Sequence, residues 1–119
     1  LNAALGVSQL KKLQYYINKK KKLAKFYKKI FNSKDFQLVE PLKNCQTNYW
    51  LNTLEIKNNK ISKNHLINQA HLEGFYVRPM WKPMHLLSQF KNCQRMELKV
   101  TEEIYDNFIS LPSSAFLQK

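Results

Sequence analysis

Gly74-Phe75-Tyr76-Val77-Arg78-Pro79-Met80-Trp81-Lys82-Pro83-Met84-His85-Leu86 puts two cations, an indole, an imidazole and two prolines into thirteen consecutive positions. Gly74 suits the left-handed turn that closes a helix, and Phe75-Tyr76-Val77 has the aromatic and β-branched composition of a strand. That strand is expected to carry the chain to Arg78. Pro79 is expected to end regular pairing, because it has no N–H to give to a ladder. The prolines restrict backbone freedom, so less of it is lost when a ligand binds. Arg78, Trp81, Lys82 and His85 together have the chemistry to hold a ring and a phosphate.

Upstream, the chain opens with a segment expected to be helical. Leu10, Leu13, Ile17, Ala24, Tyr27 and Phe31 recur near the helical period, with a gap at Lys20 to Lys22. Phe36 to Glu40 is expected to be a short strand stopped by Pro41. Tyr49 to Ile56 is expected to be a longer one bounded by Asn58-Asn59. Ser62 is placed to cap a helix running to His71. Downstream, Met84 to Phe90 suggests a helical turn, Glu97 to Asn107 a helix, and Phe108 to Leu111 a closing strand. This alternation predicts an α/β or α+β sandwich over residues 35 to 119, led by a long basic helix over residues 1 to 34.

Four blocks carry a family resemblance. Arg78-Pro79-Met80-Trp81-Lys82-Pro83-Met84-His85 resembles the "RPxWKPxH" segment of the DegT/DnrJ/EryC1/StrS family, pyridoxal-phosphate-dependent aminotransferases that act on nucleotide-linked keto-sugars. Asn2-Ala3-Ala4-Leu5-Gly6 with Gln9-Leu10 is similar to the family's "NAALGxAQL" helix start. Asn48-Tyr49-Trp50-Leu51-Asn52 is similar to the "NYWLN" of members making bacterial 4-amino-sugars, and Phe90-Lys91-Asn92-Cys93-Gln94 points the same way. Leu111-Pro112-Ser113-Ser114 resembles the "LPSS" near the family's C-terminus. The blocks stand in family order and run almost end to end. One departure is that His85 continues as Leu86-Leu87-Ser88 where members often read "HLQP".

The resemblance implies the small C-terminal domain of the aspartate-aminotransferase-like fold: a long linking helix and a small sheet with helices on one face. It implies a parent enzyme that moves an amino group, with glutamate as donor, onto a UDP-linked 4-keto-6-deoxy sugar for surface glycans such as lipopolysaccharide, perosamine synthases being one type. The parent is expected to be a cytoplasmic homodimer that uses pyridoxal 5'-phosphate. The resemblance places the Schiff-base lysine and the cofactor phosphate cup upstream of Asn2, in a large domain absent from these 119 residues. The chain starts at Leu1 without an initiator Met, which suggests a domain of a longer polypeptide. No lysine here has the matching context, so no catalytic residue is assigned and no bound cofactor is expected for this chain alone.

Arg78, Trp81, Lys82 and His85 are the candidate substrate-binding residues. A guanidinium binds phosphate oxygens through two parallel N–H bonds, which Lys cannot reproduce. The alternative for Arg78 is a structural pair with Glu55, Glu73 or another carboxylate. Trp81 is suited to stack on a uracil or sugar face, or to plug a gap between domains. Lys82 supplies a point charge for a diphosphate or stays solvated. His85 is suited to a sugar hydroxyl or a proton shuttle, against a structural hydrogen-bonded role. Asn48, Tyr49 and Trp50 are secondary candidates, with core packing as their alternative.

At 119 residues and 44% hydrophobic content, the chain has the size of one domain with one core. No apolar run is long enough to span a bilayer, and no membrane partner is expected. The formal charge is +12. Ten lysines and no Asp or Glu fall in residues 1 to 34. A lysine-rich helix is an electrostatic footprint for nucleic acid or an acidic partner, which gives the alternative function: a non-catalytic binding module. The competing reading is a solvated face in a lysine-rich sequence, and it is preferred because the segment lacks the arginine that base readout favours. A third possibility is a truncated, degenerate paralogue. Cys45 and Cys93 form no Cys-x-x-Cys pair, and reduced thiols are expected. With only Gly6 and Gly74 the chain has no Gly-rich phosphate loop, and no metal-ligand spacing is present.

Overall fold

The computed structural model describes residues 1 to 117. Helix α1 spans Asn2–Ile30, and strands β1 (Phe36–Leu38) and β2 (Asn52–Ile56) follow it. Helix α2 (Lys63–Leu72) leads to the two-residue strand β3 (Arg78–Pro79), then two 3-10 turns at Met84–Leu86 and Ser88–Phe90. Helix α3 (Lys99–Asn107) runs directly into strand β4 (Phe108–Leu111). The four strands form one antiparallel sheet in the order β1-β2-β4-β3. The C-terminal strand thus lies between two strands that precede it.

Alternation along the strands sorts the two faces. Leu54, Ile56, Ile109 and Leu111 are buried while Thr53, Glu55, Phe108 and Ser110 are half-buried. Leu38 adds β1 to the apolar side, and Ile67 of α2 and Val77 complete the buried cluster. Tyr27 and Phe31 at the end of α1, with Leu66 and Ala70 of α2, pack against it. Both helices therefore serve one face of the sheet, because side chains at i and i+2 on a strand share a face. This is the predicted small sheet with helices on one face.

The long helix is buried only near its end. Leu23 and Ala24 are its fully buried residues, whereas Leu10 and Leu13 of the predicted apolar stripe are exposed. Geometry accounts for this. Twenty-nine residues make a helix about 43 Å long, while β2, the longest strand, has five residues and spans about 17 Å. The helix outruns the sheet, and its first turns have nothing in the sheet to cover. It also ends at Ile30, four residues before the predicted boundary at residue 34.

Two strand expectations are corrected by hydrogen bonding. Tyr49 to Leu51 lie outside β2. Thr47 Oγ1 accepts from the Tyr49 N–H at 3.1 Å, Asn48 Oδ1 accepts from the Trp50 N–H at 3.0 Å, and Tyr49 takes φ +52°. These side-chain turns satisfy the backbone groups that a ladder would have used. Phe75 to Val77 are not a strand either. The Phe75 N–H reaches the Ala70 carbonyl at 2.7 Å and the Gly74 N–H reaches His71 at 3.0 Å. This is the double bond of a Schellman closure, with Gly74 at φ +81° in the left-handed position. The strand starts later, at Arg78. Pro79 is the last paired residue, as expected; it faces Ile109, and β3 tolerates proline because an edge strand has a neighbour on one side only.

Ser62 caps α2 as predicted, its Oγ accepting from the His65 N–H. Gly74→Ala is expected to cost about 1 kcal/mol, because the left-handed conformation penalises a Cβ even where space is open. Urea denaturation checks this, and no change in midpoint would contradict the role given to the glycine.

Candidate functional site

The loop that starts at Arg78 is held at both ends. At its start, the register opposes Arg78 to Ser110, and Ser110 to Thr53. Arg78 therefore belongs to the sheet face turned away from α1 and α2, because Pro79 and Ile109 take the core side. At its end, Met84–Leu86 forms the first 3-10 turn, with the Leu86 N–H bonded to the Pro83 carbonyl at 3.0 Å. His85 is largely enclosed, with its side chain 9% exposed, and its Nε2 lies 2.8 Å from Glu102 Oε1 on α3.

Between these anchors the side chains stand out. Trp81 is 80% exposed, and Arg78 and Lys82 are also exposed. Neither cation makes a hydrogen bond or ion pair with another described residue. The pairing of Arg78 with Glu55 or Glu73 considered from sequence is not formed. Trp81 fills no gap within this chain. Phe75, Tyr76 and Met84 are exposed beside these residues in sequence, so the segment presents apolar rings next to unpaired positive charge.

His85 differs from the other three candidates. Met84, His85, Phe90, Cys93, Gln94, Arg95 and Leu98 line a cavity of about 260 Å³ behind the loop. Its Nε2 is committed to Glu102, and the carboxylate itself is half exposed. No sequence signal pointed to Glu102, which is seventeen positions away.

The "NYWLN" and "LPSS" blocks meet in space. Asn52, buried at 4% exposure, donates through its backbone N–H at 3.0 Å and its Nδ2 at 3.1 Å to Ser113 Oγ. Ser113 Oγ donates to the Leu111 carbonyl at 3.0 Å. Helix α1 joins the same knot: Lys20 Nζ donates to the Ser113 carbonyl at 2.6 Å and to the Tyr49 carbonyl at 3.4 Å, and the Tyr27 hydroxyl donates to the Pro112 carbonyl at 2.9 Å. Burial pushes the Tyr27 phenol above its ordinary pKa. These blocks fasten the long helix to the sheet. Trp50 is exposed beside them, outside the core.

The described residues do not fit a pyridoxal phosphate site. Lys20 is taken by two carbonyls. Lys63 donates to the Tyr105 carbonyl and lies 4.4 Å from the centre of the Tyr105 ring. Burial holds its ammonium below the ordinary lysine pKa, with the nearby Asp106 carboxylate acting in the opposite direction. Each of these two lysines is held by contacts within the chain. Among the described residues there is no group of three or more His, Cys, Asp or Glu able to hold a metal. None of the helices is long and apolar enough to cross a membrane. Cys45 and Cys93 are free and exposed.

Comparison with known proteins agrees with this architecture. A UDP-4-amino-4,6-dideoxy-N-acetyl-beta-L-altrosamine transaminase of Helicobacter pylori is 28% identical over 120 residues, covering 98% of this chain and 32% of that protein. The solved structure of Helicobacter pylori PseC, an aminotransferase involved in the biosynthesis of pseudoaminic acid, superposes with a TM-score of 0.86 at 28% identity, over 97% of this chain and 32% of that one. The sugar aminotransferase Spr1654 of Streptococcus pneumoniae in its PLP form shares the fold, with a TM-score of 0.81 at 19% identity over 94% of this chain and 30% of that one. The chain thus spans about a third of the length of the relatives it matches. The DegT/DnrJ/EryC1/StrS aminotransferase family matches residues 1–119, and the chain belongs to that family.

Proposed function

We propose that the chain is the small C-terminal domain of a longer, pyridoxal-phosphate-dependent sugar aminotransferase, and that it supplies the substrate side of the cleft. The parent transfers an amino group from glutamate to a UDP-linked 4-keto-6-deoxy sugar in surface glycan biosynthesis. The parent works in the cytoplasm as a homodimer. Bound cofactor provides the electron sink for amino transfer, and the lysine that anchors it belongs to the part of the protein outside this chain. Here the residues bind and orient: Arg78 takes phosphate oxygens, Lys82 adds a point charge, Trp81 offers a stacking face, and His85 meets a sugar hydroxyl.

The observation that carries the proposal is the unpaired Arg78 on an edge strand, followed by exposed Trp81 and Lys82 between two prolines. An exposed guanidinium with no carboxylate partner among the described residues remains available to a phosphate. In the full-length enzyme, Arg78→Ala is expected to raise the KM for the sugar nucleotide by about tenfold or more, the effect of losing one charge-assisted hydrogen-bonded contact. The KM for glutamate should change little. Equal increases for both substrates would sink the assignment.

A further inference from the structure

The pair formed by His85 and Glu102 says which edge of the imidazole is available. A carboxylate has only acceptor sites, so the ring nitrogen 2.8 Å from Glu102 Oε1 carries the hydrogen. In the neutral imidazole the other nitrogen, Nδ1, then holds a bare lone pair. No described residue bonds Nδ1, yet no buried side-chain nitrogen or oxygen among the described residues lacks a partner. Nδ1 therefore lies at the small part of the ring that is still open. Nε2 meets Glu102 of α3, and Nδ1 keeps an open contact.

Glu102 is placed by its helix. It sits in the first turn of α3, whose last residue, Asn107, is followed directly by Phe108 of β4, the strand between β2 and β3. The carboxylate is thus tied through one short helix to the centre of the sheet. His85 has its own restraint, because Pro83 fixes the backbone just before the 3-10 turn that carries it. A ring held at Nε2 by a carboxylate, on a backbone set by proline, is prepared for a single kind of contact.

We propose that Glu102 is a positioning residue for His85, locking the Nε2–H tautomer so that Nδ1 is the nitrogen that accepts a hydrogen bond from a hydroxyl of the sugar substrate. This rests on the assignment of His85 to the substrate cleft made above. It goes further by naming the atom that makes the contact and the residue that sets it. Carboxylates that orient metal-ligating histidines in the same manner are worth about 10- to 100-fold, and an effect of that order is expected here.

The test uses the full-length enzyme, with a UDP-linked 4-keto-6-deoxy sugar and glutamate as substrates. Asparagine can place its amide near the position of Nδ1, and glutamine near that of Nε2, so the two substitutions separate a contact through Nδ1 from a clamp through Nε2. His85→Asn should retain roughly tenfold more kcat/KM for the sugar nucleotide than His85→Gln. Glu102→Ala should lose about tenfold, and Glu102→Gln, whose amide oxygen still accepts from Nε2–H, should retain more than Glu102→Ala. A glutamine at position 85 that outperforms asparagine would overturn the proposal in favour of a structural clamp. So would damage from both His85 variants with none from Glu102→Ala. If neither His85 variant alters kcat/KM, the placement of His85 in the cleft fails, and the role of Glu102 falls with it.

Discussion

Ile109→Ala is expected to destabilise the fold by about 2–5 kcal/mol, the range for removing most of a buried isoleucine and leaving a cavity. Ile109 is 2% exposed and lies on β4, between β2 and β3 in the sheet. Its register partners are Leu54 on one side and Pro79 on the other. Leu54 is equally buried, so the pair forms the middle of the core under α1 and α2. A domain of ordinary stability, about 5–15 kcal/mol, would lose a large fraction of it. The loss should appear as a lower urea midpoint, with Ile109→Val costing about 0.5–1.5 kcal/mol as the graded control. An alanine variant that costs no more than the valine variant would mean that this site collapses freely, contrary to the packing described. Because Ile109 also faces Pro79, the substitution should disturb the strand that carries Arg78.

That link between core and site explains what was legible in the sequence. Elements fixed by local chemistry were readable: the Ser62 cap, the left-handed Gly74, and the alternation of Phe108 to Leu111 each depend on neighbours within a few positions. Elements decided by competition for backbone hydrogen bonds were not. Tyr49 and Trp50 have strand-like composition, but Thr47 and Asn48 capture their N–H groups. Phe75 has it too, but its N–H closes α2.

The candidate site divides in the same way. Arg78, Trp81 and Lys82 were identifiable because cation, aromatic and proline types are contiguous in the chain. Glu102 was invisible because its partner lies across an intervening loop, and sequence spacing says nothing about such a meeting. The lysines of α1 show the limit of charge counting. Ten lysines in one segment read alike, but Lys20 fastens the helix to Ser113 and Tyr49 while Lys28 pairs with Glu40 at 2.8 Å. The partner makes the difference between a structural lysine and a solvated one.

Ser113→Ala should be the second large effect, about 2–3 kcal/mol, and it tests whether the "LPSS" block is structural. Its hydroxyl is the acceptor for both the backbone N–H and the side-chain amide of Asn52, a residue with 4% exposure. Removing it leaves two buried donors without a partner, and each such group costs about 1–3 kcal/mol when water cannot replace the lost bond. Ser113→Thr keeps the oxygen and should recover most of the stability. Asn52→Leu should be destabilising alone, yet less so in the Ser113→Ala background, because removing both side-chain partners avoids one orphaned polar group. The double-mutant cycle should give a coupling of at least about 0.5 kcal/mol. Strict additivity would mean that the two side chains do not share an interaction. Since Lys20 donates to the Ser113 carbonyl, which alanine retains, α1 should stay docked in Ser113→Ala. Detachment of the helix would show that the hydroxyl, and not the backbone of this block, is what holds α1 to the sheet.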